Sequence, residues 1–231
     1  MAFSPQNITS HPMSQHNRFP DSEPSDRGFP LAPAQNSDAA AFSAWRQQVR
    51  DALLKSRANM PVTSRIAAQK CISQKLADIL AMSEMVPEKS CVGFYWPVQG
   101  EIDVRNVIVG HIAQGGSACL PVVVARHQPM VFYRWTPQTT MKAGFAGIDV
   151  PAHADPVLPD VILAPLVGFD RNGYRLGYGG GFFDRTLAAF NHRPVVIGVG
   201  FASARLNSIF PHQYDVPVDI LITETGMSRF S

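Results

Sequence analysis

Three short runs set the terms for this chain: CVGFYW at 91–96, VILAPLV at 161–167 and VVIGVGF at 195–201, each almost wholly apolar and each separated from the next by helical patterns. Strands of this kind, alternating with helices, need a sheet covered on both faces. None approaches the roughly 20 apolar residues of a membrane span, and Gly or Pro interrupts several of them. The pattern therefore predicts an α/β domain of three α/β/α layers with a mixed, mostly parallel sheet and no membrane partner. The segment MVFYRW at 130–135 is expected to be the antiparallel member.

The remaining elements follow from caps and periodicity. Asp38 is a candidate N-cap for a helix from about Ala40 to Ser56. Thr63 or Ser64 opens a second helix ending near Met85, in which Ile66, Ile72, Leu76, Ile79 and Leu80 fall close to helical spacing. A third helix spans Asp103 to Gln114, stopped by Gly115 and Gly116. SACLPVVV at 117–124 and MVFYRW read as strands, and prolines 137, 151, 156 and 159 mark a long irregular region. A short helix from about Phe182 to Phe190, the strand VVIGVGF and a last strand around DILIT complete the expected order.

Charge and composition narrow the function. The 231 residues carry 20 Lys and Arg against 18 Asp and Glu, so there is no basic field for nucleic acid, and small ligands are the expected partners. No obligate protein partner is evident. Residues 1–40 hold six prolines among Ser, Asn and Gln, with two Arg against four acids. That composition predicts a disordered extension over 1–38 and a single catalytic domain over 39–231. The extension has neither the basic start and apolar stretch of a secretory signal nor the acid-poor composition of a mitochondrial transit peptide. Cys71, Cys91 and Cys119 lack CxxC spacing and read as reduced thiols of a cytoplasmic protein.

The chemistry concentrates in FDRNGYRLGYGGGFFDR at 169–185. Gly177, Gly179, Gly180 and Gly181 let backbone amides converge without a Cβ in the way, and the helix that follows adds unpaired amides. Arg171, Arg175 and Arg185 supply charge for phosphates, and Asp170 and Asp184 supply carboxylates for a metal. The run is neither a Walker A loop nor a dinucleotide-binding fingerprint. Taken alone it also suits a flexible turn, with Asp184 a helix-start acid. A carboxylate beside an anion site makes more sense with a bridging hard cation.

RLGYGGGFFDR, preceded by GFDRNG, resembles the signature of the 5-formyltetrahydrofolate cyclo-ligase family, and the resemblance covers most of 42–224. It implies an ATP- and Mg2+-dependent enzyme that converts 5-formyltetrahydrofolate to 5,10-methenyltetrahydrofolate with release of ADP and phosphate. It also implies site residues. Arg175 and Asp184 are the catalytic candidates. ATP would meet Arg46, Arg50, Arg175, Gly177, Tyr178, Gly179, Gly180, Gly181, Phe182 and Phe183. Folate would meet Trp96, Glu101, Tyr178, Gly179, Gly180, Gly181 and Phe182. Mg2+ would sit on Asp184 and Asp215.

Several of these positions have plainer readings from the residues themselves. Arg46, Arg50 and Arg57 share one helix face beside Trp45, Val49 and Leu53, which suits a solvated stripe as well as a phosphate contact. Glu101 sits beyond a strand's carboxyl end, where α/β sheets bind ligands, and equally suits a helix start. Trp96 reads as a core aromatic, and Asp215 as a turn residue. Two departures from the family pattern stand out. Phe182 and Phe183 replace the usual tyrosine-containing pair, and Val150 stands where many members have Glu. A non-catalytic nucleotide- or folate-binding relative, or a ligase for another formyl or carboxyl compound, is the alternative they raise.

Overall fold

The computed structural model describes residues 29–230 apart from Gln35, Ser83, Glu84 and Glu88. Most of the expected N-terminal extension, residues 1–28, thus lies outside the described residues. The helices are α1 (Ala39–Ala58), α2 (Val62–Leu80), α3 (Arg105–Ala113) and α4 (Phe182–Ala188). The central sheet is built from β1 (Cys91–Gly93), β2 (Ser117–Val122), β3 (Val131–Trp135), β6 (Val161–Pro165), β9 (Val195–Val199), β11 (Ile220–Thr223) and β12 (Gly226–Arg229). Smaller pairings use β4 (Met141–Ala143), β5 (Asp149–Pro151), β7 (Gly168–Asp170), β8 (Arg175–Leu176) and β10 (Arg205–Leu206).

The seven strands run in the order β12-β11-β9-β6-β1-β2-β3. The pairs β11–β9, β9–β6, β6–β1 and β1–β2 are parallel, while β12 and β3 close the edges antiparallel. The mixed, mostly parallel sheet expected from the apolar runs is therefore present, with the expected antiparallel segment as β3 and a second antiparallel edge, β12, that was not expected.

Period-two alternation divides each central strand between two cores. Val161, Leu163, Ile197, Ile220 and Ile222 pack with Ile72, Leu76 and Ile108 of α2 and α3. Ile162, Ala164, Val196 and Leu221 pack with Trp45, Val49 and Leu53 of α1 and Leu187 of α4. Both cores consist of buried side chains, which is why these strands are apolar throughout.

Local signals explain most boundaries. Asp38 caps α1, its Oδ1 accepting from Ala41 N at 2.8 Å. The second helix departs from expectation at both ends. It starts at Val62, with Pro61 at the cap position and no side-chain cap, so Thr63 and Ser64 lie within the first turn. It stops at Leu80 rather than near Met85, since Val86 turns into the core as a loop residue, 1% exposed, and its apolar character mimics helical continuation. The region expected to be irregular contains the β4–β5 hairpin, whose turn places Ala146 and Gly147 at positive φ. The sheet also continues past 220–223 into β12, where Met227 and Ser228 are only half-buried and give no apolar run.

The first described residues already pack on the domain. Phe29 lies against the α1-side core and the Pro30 carbonyl accepts from Trp45 Nε1 at 3.0 Å. Replacing the α1 cap by Asp38→Ala should cost about 1 kcal/mol. In a thermal melt, that loss should lower Tm by about 2–4 °C for a domain of this size.

Candidate active site

A cleft of about 2040 Å³ opens at the carboxyl ends of the parallel strands. Its floor includes Tyr95 and Trp96 beyond β1, Leu120 and Pro121 of β2, and Pro165 at the end of β6. Every site residue implied by the family resemblance lines this one cleft: Arg46, Arg50, Trp96, Glu101, Arg175, Gly177, Tyr178, Gly179, Gly180, Gly181, Phe182, Phe183, Asp184 and Asp215; Asp170, Arg171 and Arg185, also weighed from the loop itself, do not.

The Gly-rich run leaves β8 and enters α4 through Gly181 at φ 63°. Gly179 sits at φ 91°, a conformation that favours glycine, and a Cβ there would crowd Arg50 Cζ at 3.3 Å. No described residue accepts a hydrogen bond from the amides of Gly177, Tyr178, Gly179, Gly180 or Gly181. Five consecutive open donors beside a cleft are suited to an anion.

The arginine stripe of α1 is not a solvated face. Arg50 is 8% exposed, and its Nε donates to Gly177 O at 2.6 Å while Nη1 donates to Gln47 Oε1 at 2.6 Å. Arg57, 5% exposed, reaches across to Leu166 O and lies 3.4 Å from the Tyr178 hydroxyl. Arg46 holds the 209–215 loop through Ile209 O, Phe210 O and the Asp215 carboxylate. Burial pulls Arg50 below its ordinary value, as does the nearby Arg46 charge.

Arg175 is buried and bridges two segments, donating to Val216 O and, at 2.8 Å, to Asp184 Oδ1. Desolvation lowers it and Asp184 opposes that shift. Asp184 Oδ1 also accepts from Val216 N at 3.2 Å, and Asp215 Oδ2 accepts from His212 N at 2.6 Å. Neither Asp184 Oδ2 nor Asp215 Oδ1 has a donor among the described residues. Asp170, weighed as a metal carboxylate, is structural instead: fully buried, it accepts from the amides of Asn172, Tyr174 and Ile209. Arg171 is exposed and does not line the cleft.

Across the cleft, the turn Val98–Glu101 closes through Glu101 N donating to Val98 O, with Gln99 and Gly100 both at positive φ. This turn holds the Glu101 carboxylate, which accepts from Val98 N at 3.0 Å and from the Tyr178 hydroxyl at 2.8 Å. Burial raises Glu101 above the ordinary carboxylate range despite those donors. Trp96 is half-buried, edge-on to Trp135 and under the Arg105 guanidinium, so it is a cleft wall as well as a packed aromatic.

The sequence reading missed part of the site. Phe145, from the β4–β5 hairpin, and Phe210 line the cleft beside Val150, which the sequence marks only as a departure from the family pattern, and the Phe145 ring meets Phe182 edge-on at 5.5 Å. Prolines hid the hairpin. A sharper signal was Gly147, which with Ala146 takes the positive φ of the turn.

Comparison with known proteins agrees with this arrangement. The model of the 5-formyltetrahydrofolate cyclo-ligase family matches residues 42–224. The 5-formyltetrahydrofolate cyclo-ligase of Haemophilus influenzae is 31% identical over 186 residues, covering 77% of this chain and 97% of that protein. That of Mycolicibacterium smegmatis is 29% identical and covers 77% of this chain and 93% of its own. The NMR structure of Aquifex aeolicus 5,10-methenyltetrahydrofolate synthetase aligns with a TM-score of 0.67 at 27% identity, covering 80% of this chain and 92% of that one. The Mycoplasma pneumoniae 5,10-methenyltetrahydrofolate synthetase, 21% identical, shares the fold at a TM-score of 0.64 over 78% of this chain and 98% of that one. A matching fold, a relative aligned along nearly its whole length and a family match spanning both walls of the cleft give one conclusion: the chain belongs to the 5-formyltetrahydrofolate cyclo-ligase family and is a ligase.

Proposed function

We propose that this enzyme uses ATP and Mg2+ to convert 5-formyltetrahydrofolate to 5,10-methenyltetrahydrofolate, releasing ADP and phosphate through a phosphorylated formyl intermediate. The observation that carries the reading is the row of open amides at Gly177–Gly181, flanked by Arg50 and Arg175 and facing Glu101 across one cleft. Polyphosphate suits the first set, and the hydrogen-bonding edge of a reduced pterin suits the second.

A formyl oxygen is a poor leaving group, and phosphorylation converts it into a good one. In this scheme the formyl oxygen attacks the γ-phosphorus as the bond to ADP breaks, giving an iminium phosphate. The neighbouring folate nitrogen then attacks the formyl carbon, the ring closes, and phosphate departs as the C–O bond breaks, carrying away the proton of that nitrogen. Such transfers are catalysed by positioning and charge stabilisation. The amides and Arg175 hold the triphosphate, and Arg50 is fixed in advance by Gly177 O and Gln47. Glu101, steadied by Tyr178 and Val98, orients the pterin. Trp96 and Phe182 give apolar walls for its ring.

Mg2+ fits the residues present. No cluster of three or more His, Cys, Asp or Glu able to hold a metal occurs among the described residues, but Mg2+ commonly takes one or two carboxylates together with substrate phosphates and water. Asp184 and Asp215 each retain one oxygen without a protein donor among the described residues. When bound, the ion would neutralise phosphate charge.

The decisive test follows methenyl-folate absorbance with 5-formyltetrahydrofolate, ATP and Mg2+. Product formation is expected, and ATP binding without product would favour a binding protein instead. In Arg50→Ala, loss of a charged hydrogen-bonding group should raise the KM for ATP at least about tenfold. In Asp184→Asn, turnover should fall and the Mg2+ requirement should rise. Because burial raises Glu101, its ionised fraction falls at a higher pH than for an ordinary glutamate. Affinity for the folate should therefore drop as pH falls through that raised value, and Glu101→Gln should lose the acid limb while binding folate weakly throughout.

A further inference from the structure

Cys91 and Cys119 lie on the neighbouring parallel strands β1 and β2, on the same side of the sheet. Their register differs by two residues, since Cys91 pairs with Ser117 and Cys119 with Gly93. The side chains lean together, with the sulfurs 3.7 Å apart in a shared hydrogen bond. Both belong to the α1-side core, but Cys91 is only part-buried whereas Cys119 is fully enclosed. Neither lines the cleft, and nothing in the proposed chemistry uses them.

We propose that Cys91 is a site of oxidation by peroxides and that Cys119 is its resolving partner, the pair closing a reversible intramolecular disulfide. The asymmetry in exposure sets the order. The Cys91 thiolate attacks one peroxide oxygen and the O–O bond breaks, giving a sulfenic acid and hydroxide, which takes up a proton to become water. The Cys119 sulfur then attacks the Cys91 sulfur, the S–O bond breaks, and the hydroxyl leaves with the Cys119 proton as a second water. Two thiols are oxidised to one disulfide and one peroxide is reduced to two waters.

The chemistry of the pair agrees. The hydrogen bond with Cys119, together with one involving Ser117, outweighs burial and lowers Cys91 to about 7, so a large share is thiolate near neutral pH, while Cys119 is pushed up by that same contact and by burial. A low-pKa, accessible thiol beside a second one is the arrangement that oxidises selectively. Because the cysteines are diagonal rather than directly opposed, a bridge between them requires a local shift of β1 against β2. Strained disulfides are the readily reduced ones, which makes this pair reversible rather than structural. Cys71 is set apart, its thiol donating to Glu224 O, and provides an internal control.

The test treats the purified full chain with hydrogen peroxide, then blocks remaining thiols with iodoacetamide under denaturing conditions. Intact mass should show the loss of two hydrogens and alkylation of Cys71 alone, and unreduced digests should contain a Cys91–Cys119 cross-link that dithiothreitol removes. In Cys119→Ser, which keeps a hydrogen-bonding group beside Cys91 but removes the resolving sulfur, dimedone should trap Cys91 as the sulfenic acid. In Cys91→Ser, Cys119 should stay reduced. The proposal is overturned if both cysteines remain alkylatable under peroxide that oxidises free glutathione, if the cross-link is intermolecular, or if Cys119 oxidises equally without Cys91. A melt of each variant shows whether it is folded, and the wild-type mass and digest decide the case if Cys119→Ser is not.

Discussion

A guanidinium taken out of water needs partners on every side, and Arg175 is the point at which that demand organises the site. It sits at the start of β8, below the Gly-rich run, and is 9% exposed. Its donors go to Val216 O and to Asp184, so one side chain ties the strand, the first turn of α4 and the 208–216 loop together. Breaking a buried pair of this kind commonly costs about 3–5 kcal/mol, because the charge left behind cannot regain water. The loop that carries Asp215 is pinned a second time by Arg46, and a third time from beneath, where the buried Asp170 accepts from Ile209 N. The position of each carboxylate thus follows from where the arginines are buried.

This arrangement divides the site into satisfied and unsatisfied halves. Four arginines are held largely by backbone carbonyls at Gly177, Leu166, Ile209 and Val216, so their orientation is fixed before any ligand arrives. The amides of the Gly-rich run have no protein acceptor among the described residues. Fixed donors of this kind would suit the phosphoryl transfer proposed for the site, since no reorganisation accompanies charge development. Tyr178 joins the two sides, its backbone within the run and its hydroxyl on Glu101. Phe182 and Phe183 lack hydroxyls, but both rings are engaged, Phe182 by Phe145 and Arg185 and Phe183 by Arg175.

How much of this was legible in the sequence depends on the range of the interaction concerned. Asp38 as a cap, the apolar runs as buried strands and the glycines before α4 are local or periodic signals, and the chain adopts them as read. Asp170 and Asp184 could not be told apart, because both are acids flanking one loop. Only the fold gives Asp170 three amide donors and turns Asp184 toward Arg175. The β4–β5 hairpin was hidden by prolines that favour irregular structure, yet Pro151 fits at the end of a two-stranded ladder. β12 was missed because a half-exposed edge strand carries no continuous apolar run.

The sequence by itself determined the layered α/β class, since period-two apolar strands between amphipathic helices bury their surface in few other ways, and it placed a glycine run among arginines, where a loop's amides are free of Cβ obstruction. Tertiary structure decided which charges face one another. The Arg50–Gly177, Tyr178–Glu101 and Arg46–Asp215 contacts join residues 127, 77 and 169 positions apart, distances over which no local pattern speaks. It also decided that the arginine stripe of α1 lies against carbonyls rather than in water. The spacing of those arginines placed them on one face, but only the packing of that helix against the sheet could make the face an inner one.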